Sequence, residues 1–261
     1  MRIVTPEEAQ KMEITVRGHR NILAGYFGKL ATMHDGPQAI LANLPDGGAR
    51  IDLHYHDVDQ FQVFVRGDGI LDKHRLEPVT FHYSDAYTPS GPITAGTDGI
   101  GFITLRTGCT SGHFAMPGSE HLMLTQPGRD IAGRFQTSGP LPVDGQFSRE
   151  MLIEESDGVA VAGFRLGANA PLKGEPTRAG YQYYVVCSGG LMHEGRVVPP
   201  LSLALVEAGE PAPTFLAGPL GAELLMLQFA TPSDRPGSDP ENLPWRDAKA
   251  VRLPADTQGV G

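Results

Sequence analysis

Apolar and polar residues alternate along much of the chain. Ile51, Leu53 and Tyr55 interleave with Asp52, His54 and His56, and Phe61, Val63 and Val65 interleave with Gln60, Gln62, Phe64 and Arg66. A period of two sends successive side chains to opposite faces of a sheet, so both stretches read as strands. Gly67-Asp68-Gly69 reads as a turn after the second, and further strands are expected at Val79–Tyr83 and Gly101–Leu105. One short helix is predicted near the start, with Thr5 as its cap, Pro6 at its first position and Glu8 three residues after the cap. The 33 glycines and 22 prolines interrupt any longer helix, so the chain reads as all-β.

The grammar of the first half recurs in the second. Gln60-Phe61-x-Val63-x-x-x-Gly67 matches Gln182-Tyr183-x-Val185-x-x-x-Gly189 at an offset of 122, and Gly91-Pro92-Ile93 resembles Gly218-Pro219-Leu220 at an offset of 127. Two matches in the same order point to an internal duplication. Residues 1–106 then form one unit, 107–145 a Gly-, Pro- and Ser-rich connection, 146–230 a second unit, and 231–261 an extended arm carrying the single tryptophan, Trp245.

Composition narrows the partners. The 261 residues carry 21 Lys and Arg against 30 Asp and Glu, a formal net charge of −9, which repels phosphate backbones and argues against nucleic acid. No apolar run is long enough for a membrane helix. The start, Met-Arg-Ile-Val-Thr-Pro-Glu-Glu, lacks the apolar core of a secretory signal, so the expected compartment is the cytoplasm. Cys109 and Cys187 have no metal-ligand spacing and read as two reduced thiols.

The chemistry concentrates on one pair. His54 and His56, two apart on a strand, leave the same face, and Gln60 on the returning strand can be presented beside them. The run from Gly48 through His54-Tyr55-His56 and Gln60 to Gly67 resembles the first motif of the cupin superfamily, with Gln60 standing where that family has glutamate. The second motif keeps Pro89 and Gly91, but Thr94 takes the place of the family's third histidine, and Tyr83 and Asp98 replace its glycine and asparagine. The resemblance implies two tandem cupin-type antiparallel barrels, a bicupin, with a metal held by His54, His56 and Gln60 in the first. Projected through Gln182, the second barrel has Pro176 and Arg178 where the histidines would be, so it is expected to lack metal.

Such a site would hold one divalent transition metal, Fe, Mn, Ni or Zn, weakly, because an amide oxygen brings no charge. Asp52 and His82 are candidate additional ligands. His82, Tyr87 and Arg106 are candidate catalytic groups, Arg106 through its forked donors and Tyr87 through its phenolic proton. His74, His113, His121 and His193 read as surface or capping residues. Arg178 is expected inside the second barrel, satisfied by Glu175, beside Tyr181, Tyr183 and Tyr184. Two functions remain open. One is a metalloenzyme, dioxygenase-like or isomerase/lyase-like, acting on a small chelating anion that supplies the missing charge. The other is a non-catalytic or metal-independent barrel that binds a small molecule. Exposed strands such as 201–206, with the terminal arm, point to a homo-oligomer, most simply a dimer.

Overall fold

The structure is a computed structural model and describes residues 1–16, 18–30, 36–137, 139–178 and 180–230. The arm from residue 231, with Trp245, lies outside the described residues. Among the described residues, nineteen strands run in the order β1 (Arg2–Val4), β2 (Gln10–Val16), β3 (His19–Phe27), β4 (Gln38–Leu44), β5 (Arg50–Ile51), β6 (His54–Tyr55), β7 (Gln60–Leu71), β8 (His74–Leu76), β9 (Thr80–Ser84), β10 (Ile93–Arg106), β11 (Phe114–Ala115), β12 (Asp130–Arg134), β13 (Phe147–Glu154), β14 (Ala160–Leu166), β15 (Pro171–Lys173), β16 (Gln182–His193), β17 (Arg196–Val198), β18 (Leu203–Val206) and β19 (Thr214–Gln228).

The strands fall into two antiparallel units. One, over Gln10–Gly133, has the sheet order β12-β9-β7-β10-β4-β3-β2, with β5 on β10 and β8 on β7. The other joins Met1–Ala9 to residues 134–230, in the order β1-β18-β16-β19-β14-β13, with β15 on β19 and β17 on β16. The first residues thus serve the second unit: Arg2 and Val4 pair with Leu205 and Leu203. That pairing covers the 201–206 strand, which is therefore not the free edge that the sequence suggested for self-association. Segment 107–145, read as a connection, contributes β11 and β12 to strands of the first unit.

Two predicted elements differ. Thr5 N–H donates to Glu8 Oε2 at 2.9 Å and Glu8 N–H donates to Thr5 Oγ1 at 3.4 Å, so the capping box exists. The chain makes a single turn there and enters β2 at Gln10, and one turn does not repay helix nucleation. Gly67-Asp68-Gly69 is no turn but lies inside β7. Gly67 has φ 68°, and a Cβ there would strike the Gly99 carbonyl; the strand bends by a bulge instead of reversing.

The duplication is visible residue by residue at an offset of 122. Gln60, Phe61 and Val63 pair with Arg106, Leu105 and Ile103, and Gln182, Tyr183 and Val185 pair with Gln228, Leu227 and Leu225. Gly189 repeats Gly67, with φ 66° and a Cβ that would strike Gly221, the counterpart of Gly99. The Gly218-Pro219-Leu220 match at 127 is not part of this equivalence: those residues lie inside β19, whereas Gly91-Pro92 precedes β10.

Candidate functional site

The imidazoles are set by backbone carbonyls. Across the bridge between His54 and Ser90, each residue's N–H donates to the other's carbonyl, at 3.2 and 2.8 Å. His54 Nδ1 donates to the Asp52 carbonyl at 2.7 Å, and His56 Nδ1 donates to the Gly112 carbonyl at 2.7 Å. A carbonyl only accepts, so both rings carry a proton on Nδ1. The rings stand 5.0 Å apart, centre to centre, at 85°. A third imidazole joins them: His113, read from sequence as a surface or capping residue, stacks on His54 at 3.9 Å. Its segment is fixed by buried Asp57, whose carboxylate accepts from Ser111 N–H at 3.0 Å, from Thr110 Oγ1 at 2.5 Å and from Ser111 Oγ.

Arg106 occupies the centre. From the end of β10 its guanidinium donates to Gln38 Oε1 at 2.6 Å, to Gln60 Oε1 at 3.2 and 3.3 Å, and to His56 Nε2 at 3.1 Å. His56 and Gln60 are two of the three residues that the sequence assigned to a metal, with His54. Burial, followed by the positive Arg106 and the neighbouring His54 and His113, drives the His56 pKa well below its ordinary value, so the ring stays neutral. Burial likewise brings Arg106 down to about 10, with the Cys109 and Asp57 charges pulling it back up.

These residues do not fit a bound metal ion. The His56 lone pair and the Gln60 carbonyl are spent on a fixed cation, and a dication beside a guanidinium is repelled by it. Stacked rings such as His54 and His113 also aim their in-plane lone pairs past one another. Among the described residues, no cluster of three or more His, Cys, Asp or Glu side chains can hold an ion. The other candidates lie elsewhere. Asp52 is turned to Arg50 at 2.8 Å. Thr94 pairs with Arg50 and Ile70, and the residue facing His54 is Ser90.

His82 is fully buried, with Nε2 2.6 Å from Asp130 Oδ1 and 3.5 Å from Ser90 Oγ. Tyr87 sits at φ 62° in an aromatic cluster with Tyr55 and Phe114, and its N–H donates to the His56 carbonyl at 2.7 Å. Burial raises its pKa, with the Asp57 charge adding to the effect, so the phenol keeps its proton. In the second barrel Arg178 is half exposed and pairs with Glu154 at 2.8 Å, while Glu175 takes Arg149 at 2.8 Å; this corrects the expected Arg178–Glu175 pair.

Register shows what the two concave faces are made of. Directly paired residues share a face. In the first barrel the rows are Ser84–Gln60–Arg106–Gln38, then His82–Gln62–Thr104–Ile40, then Thr80–Phe64–Phe102–Ala42. The counterparts in the second are Val206–Gln182–Gln228–Ala160 and Ala204–Tyr184–Met226–Ala162, above Val186–Leu224–Phe164. Tyr184, Met226 and their neighbours belong to one apolar core, leaving at the mouth a hollow of about 10 Å³, the size of one water, lined by Gln182 and Gln228. The second barrel is filled; the first keeps two polar rows.

No family model matches the sequence, and neither does any curated protein. The fold does match solved structures. A "putative dioxygenase" from Nostoc punctiforme PCC 73102 aligns with TM-score 0.60 and 10% identity over 87% of this chain and 81% of that one. Oxalate decarboxylase from Bacillus subtilis, studied for its Mn(II) centres, aligns with TM-score 0.54 and 12% identity over 88% and 77%. A serine-to-alanine mutant of that decarboxylase gives 0.57 at 11% identity, over the same shares of the two chains. The chain therefore has the cupin-type, all-β fold in tandem. No helix among the described residues is long and apolar enough to cross a membrane.

Proposed function

We propose that the first barrel is a metal-independent site for a small oxygen-bearing anion, with the Arg106 guanidinium standing where the motif would place a dication. The observation that carries this reading is the contact of Arg106 with both His56 Nε2 and Gln60 Oε1. The guanidinium donates to neutral Gln38, Gln60 and His56, and a carboxylate is the complement of a guanidinium. Oxalate decarboxylase, which shares the fold, acts by its name on a compact dicarboxylate. The small-molecule partner expected from the sequence is kept, and the metal-dependent dioxygenase or isomerase/lyase reading gives way to the metal-independent alternative.

Elemental analysis of the purified protein, paired with thermal denaturation in malonate or in Mn, Fe, Ni or Zn salts, tests this. Less than about 0.1 metal per chain, with malonate raising the melting temperature, is expected, because a ligand of the folded state stabilises it. Close to one metal per chain, lost in His56→Ala, would overturn it.

A further inference from the structure

The same bulge interrupts the long strand of both barrels, and its tips differ. In the first barrel residues 96–99 stand out of β10 between the pairs Ala95–Gly69 and Ile100–Gly67, and in the second residues 218–221 stand out of β19 between Ala217–Leu191 and Ala222–Gly189. The exposed tip is Thr97-Asp98 in one and Pro219-Leu220 in the other. Leu220 is 85% exposed. A single exposed leucine needs no explanation, but three more apolar residues stand beside this one. Segment 141–147 runs along the bulge: a Cβ on Gly221 would meet Leu141 Cδ1, a Cβ on Gly167 would meet the Val143 carbonyl, Gly145 N–H donates to the Ala168 carbonyl at 2.8 Å, and Phe147 pairs with Leu166. Val143 is 71%, Phe147 48% and Leu141 36% exposed, and Asp144 is the one charge in the segment.

We infer that this end of the second barrel is the contact surface for a second copy of the chain. The area fits such a partner. With roughly 150–200 Å² on a fully exposed residue of this size, the four amount to about 400 Å² of apolar surface. A stable interface buries about 800 Å² on each partner, of which about 450–500 Å² is apolar, so these residues supply most of what is needed. Apolar patches of this size are often functional. The charge pattern selects a like copy. A chain of net charge −9 repels its own copies over most of its surface, and a two-fold axis brings each residue near it against its own counterpart, so the contact has to be almost free of charge. Asp98 on the first bulge would set two carboxylates together there; Leu220 on the second sets two leucines.

Sedimentation velocity of the full chain from about 1 to 100 μM tests the inference. The wild type is expected to sediment as a dimer. Leu220→Asp, which copies the first barrel, and Val143→Asp should each weaken the dimer about a hundred-fold or more, because they bury an unpaired charge in the contact. Both positions are exposed, so both variants should keep the wild-type circular dichroism spectrum. Leu124→Asp, at an exposed leucine of the first unit, should leave the dimer intact. A wild-type chain that stays monomeric at the highest concentration overturns the inference, as does a dimer that survives both substitutions. A monomer whose melting temperature falls in Leu220→Asp also overturns it, since the patch is then covered within one chain.

Discussion

Replacing Arg106 by glutamine gives this barrel the residue that its duplicate carries at Gln228, and it should turn a metal-excluding site into a metal-accepting one. An ion bonded to His56 Nε2 would lie about 5 Å from the guanidinium once Arg106 gave up that bond. At an effective dielectric of about 20, the repulsion between a dication and a unit charge at that distance is about 7 kcal/mol, roughly five powers of ten in affinity. That figure is a ceiling, because a longer swing relieves it. The variant should fold. Burial holds Arg106 near 10 instead of 12.5, so removing the charge recovers about 3 kcal/mol, which offsets the loss of two charge-assisted hydrogen bonds worth about 1.5–3 kcal/mol each. The bond to Gln60 has a precedent in Gln182 to Gln228 at 3.2 Å. Zinc competition against a chelating dye is the assay, with wild type showing no uptake at micromolar zinc and Arg106→Gln binding at least a hundred-fold more tightly. Equal zinc binding by the two proteins would refute the reasoning.

Three further outcomes follow from the same structure. His56 is neutral when folded because burial lowers its pKa, so the unfolded chain alone takes up its proton below about pH 6.5; stability contributed by this ring is full above that pH and falls by about 1.4 kcal/mol per unit as pH drops toward the folded value. Urea unfolding between pH 8 and 5 should show that slope, reduced by one proton in His56→Gln, and an unchanged slope would count against the assignment. Gly67→Ala and Gly189→Ala should each cost about 2 kcal/mol or more, since both sit at positive φ against a carbonyl, whereas Gly139→Ala, with open space around it, should be close to neutral. Gln60→Glu should raise thermal stability or leave it unchanged while removing malonate binding, read by calorimetry, because a carboxylate there neutralises Arg106.

The period-two alternation and the offset of 122 made the architecture legible, because strand faces and repeats are written in local spacing. What escaped were contacts between distant segments. Strand β1 pairs with β18 across some two hundred residues, so nothing near Arg2 announces it. His113 stacks on His54 from a stretch without strand periodicity, and its approach depends on Asp57 gripping Thr110 and Ser111. Arg106 was named as a candidate for orienting a substrate oxygen, yet its contact with His56 and Gln60 was not foreseen. Arg106 lies 122 residues before Gln228 and Gln60 the same distance before Gln182, but only the arginine differs between the copies, so no paired change announced the contact.

The departure of this chain from the motif it resembles then has a single electrostatic logic. A dication held by three imidazoles and one glutamate leaves the site with one net positive charge. A guanidinium bonded to His56 and the amides of Gln38 and Gln60 brings one positive charge of its own. Glutamate at position 60 would cancel it, and a bound dication without glutamate would double it; Gln60 with Arg106 does neither. The substitution of the carboxylate and the appearance of the arginine therefore compensate one another, and an anion entering the first barrel meets the field that a metal would have supplied, without the exchangeable ion. In the second barrel Gln182 faces Gln228 and the charge is gone; there Tyr184 and Met226 fill the space, as expected where no ligand has to be admitted.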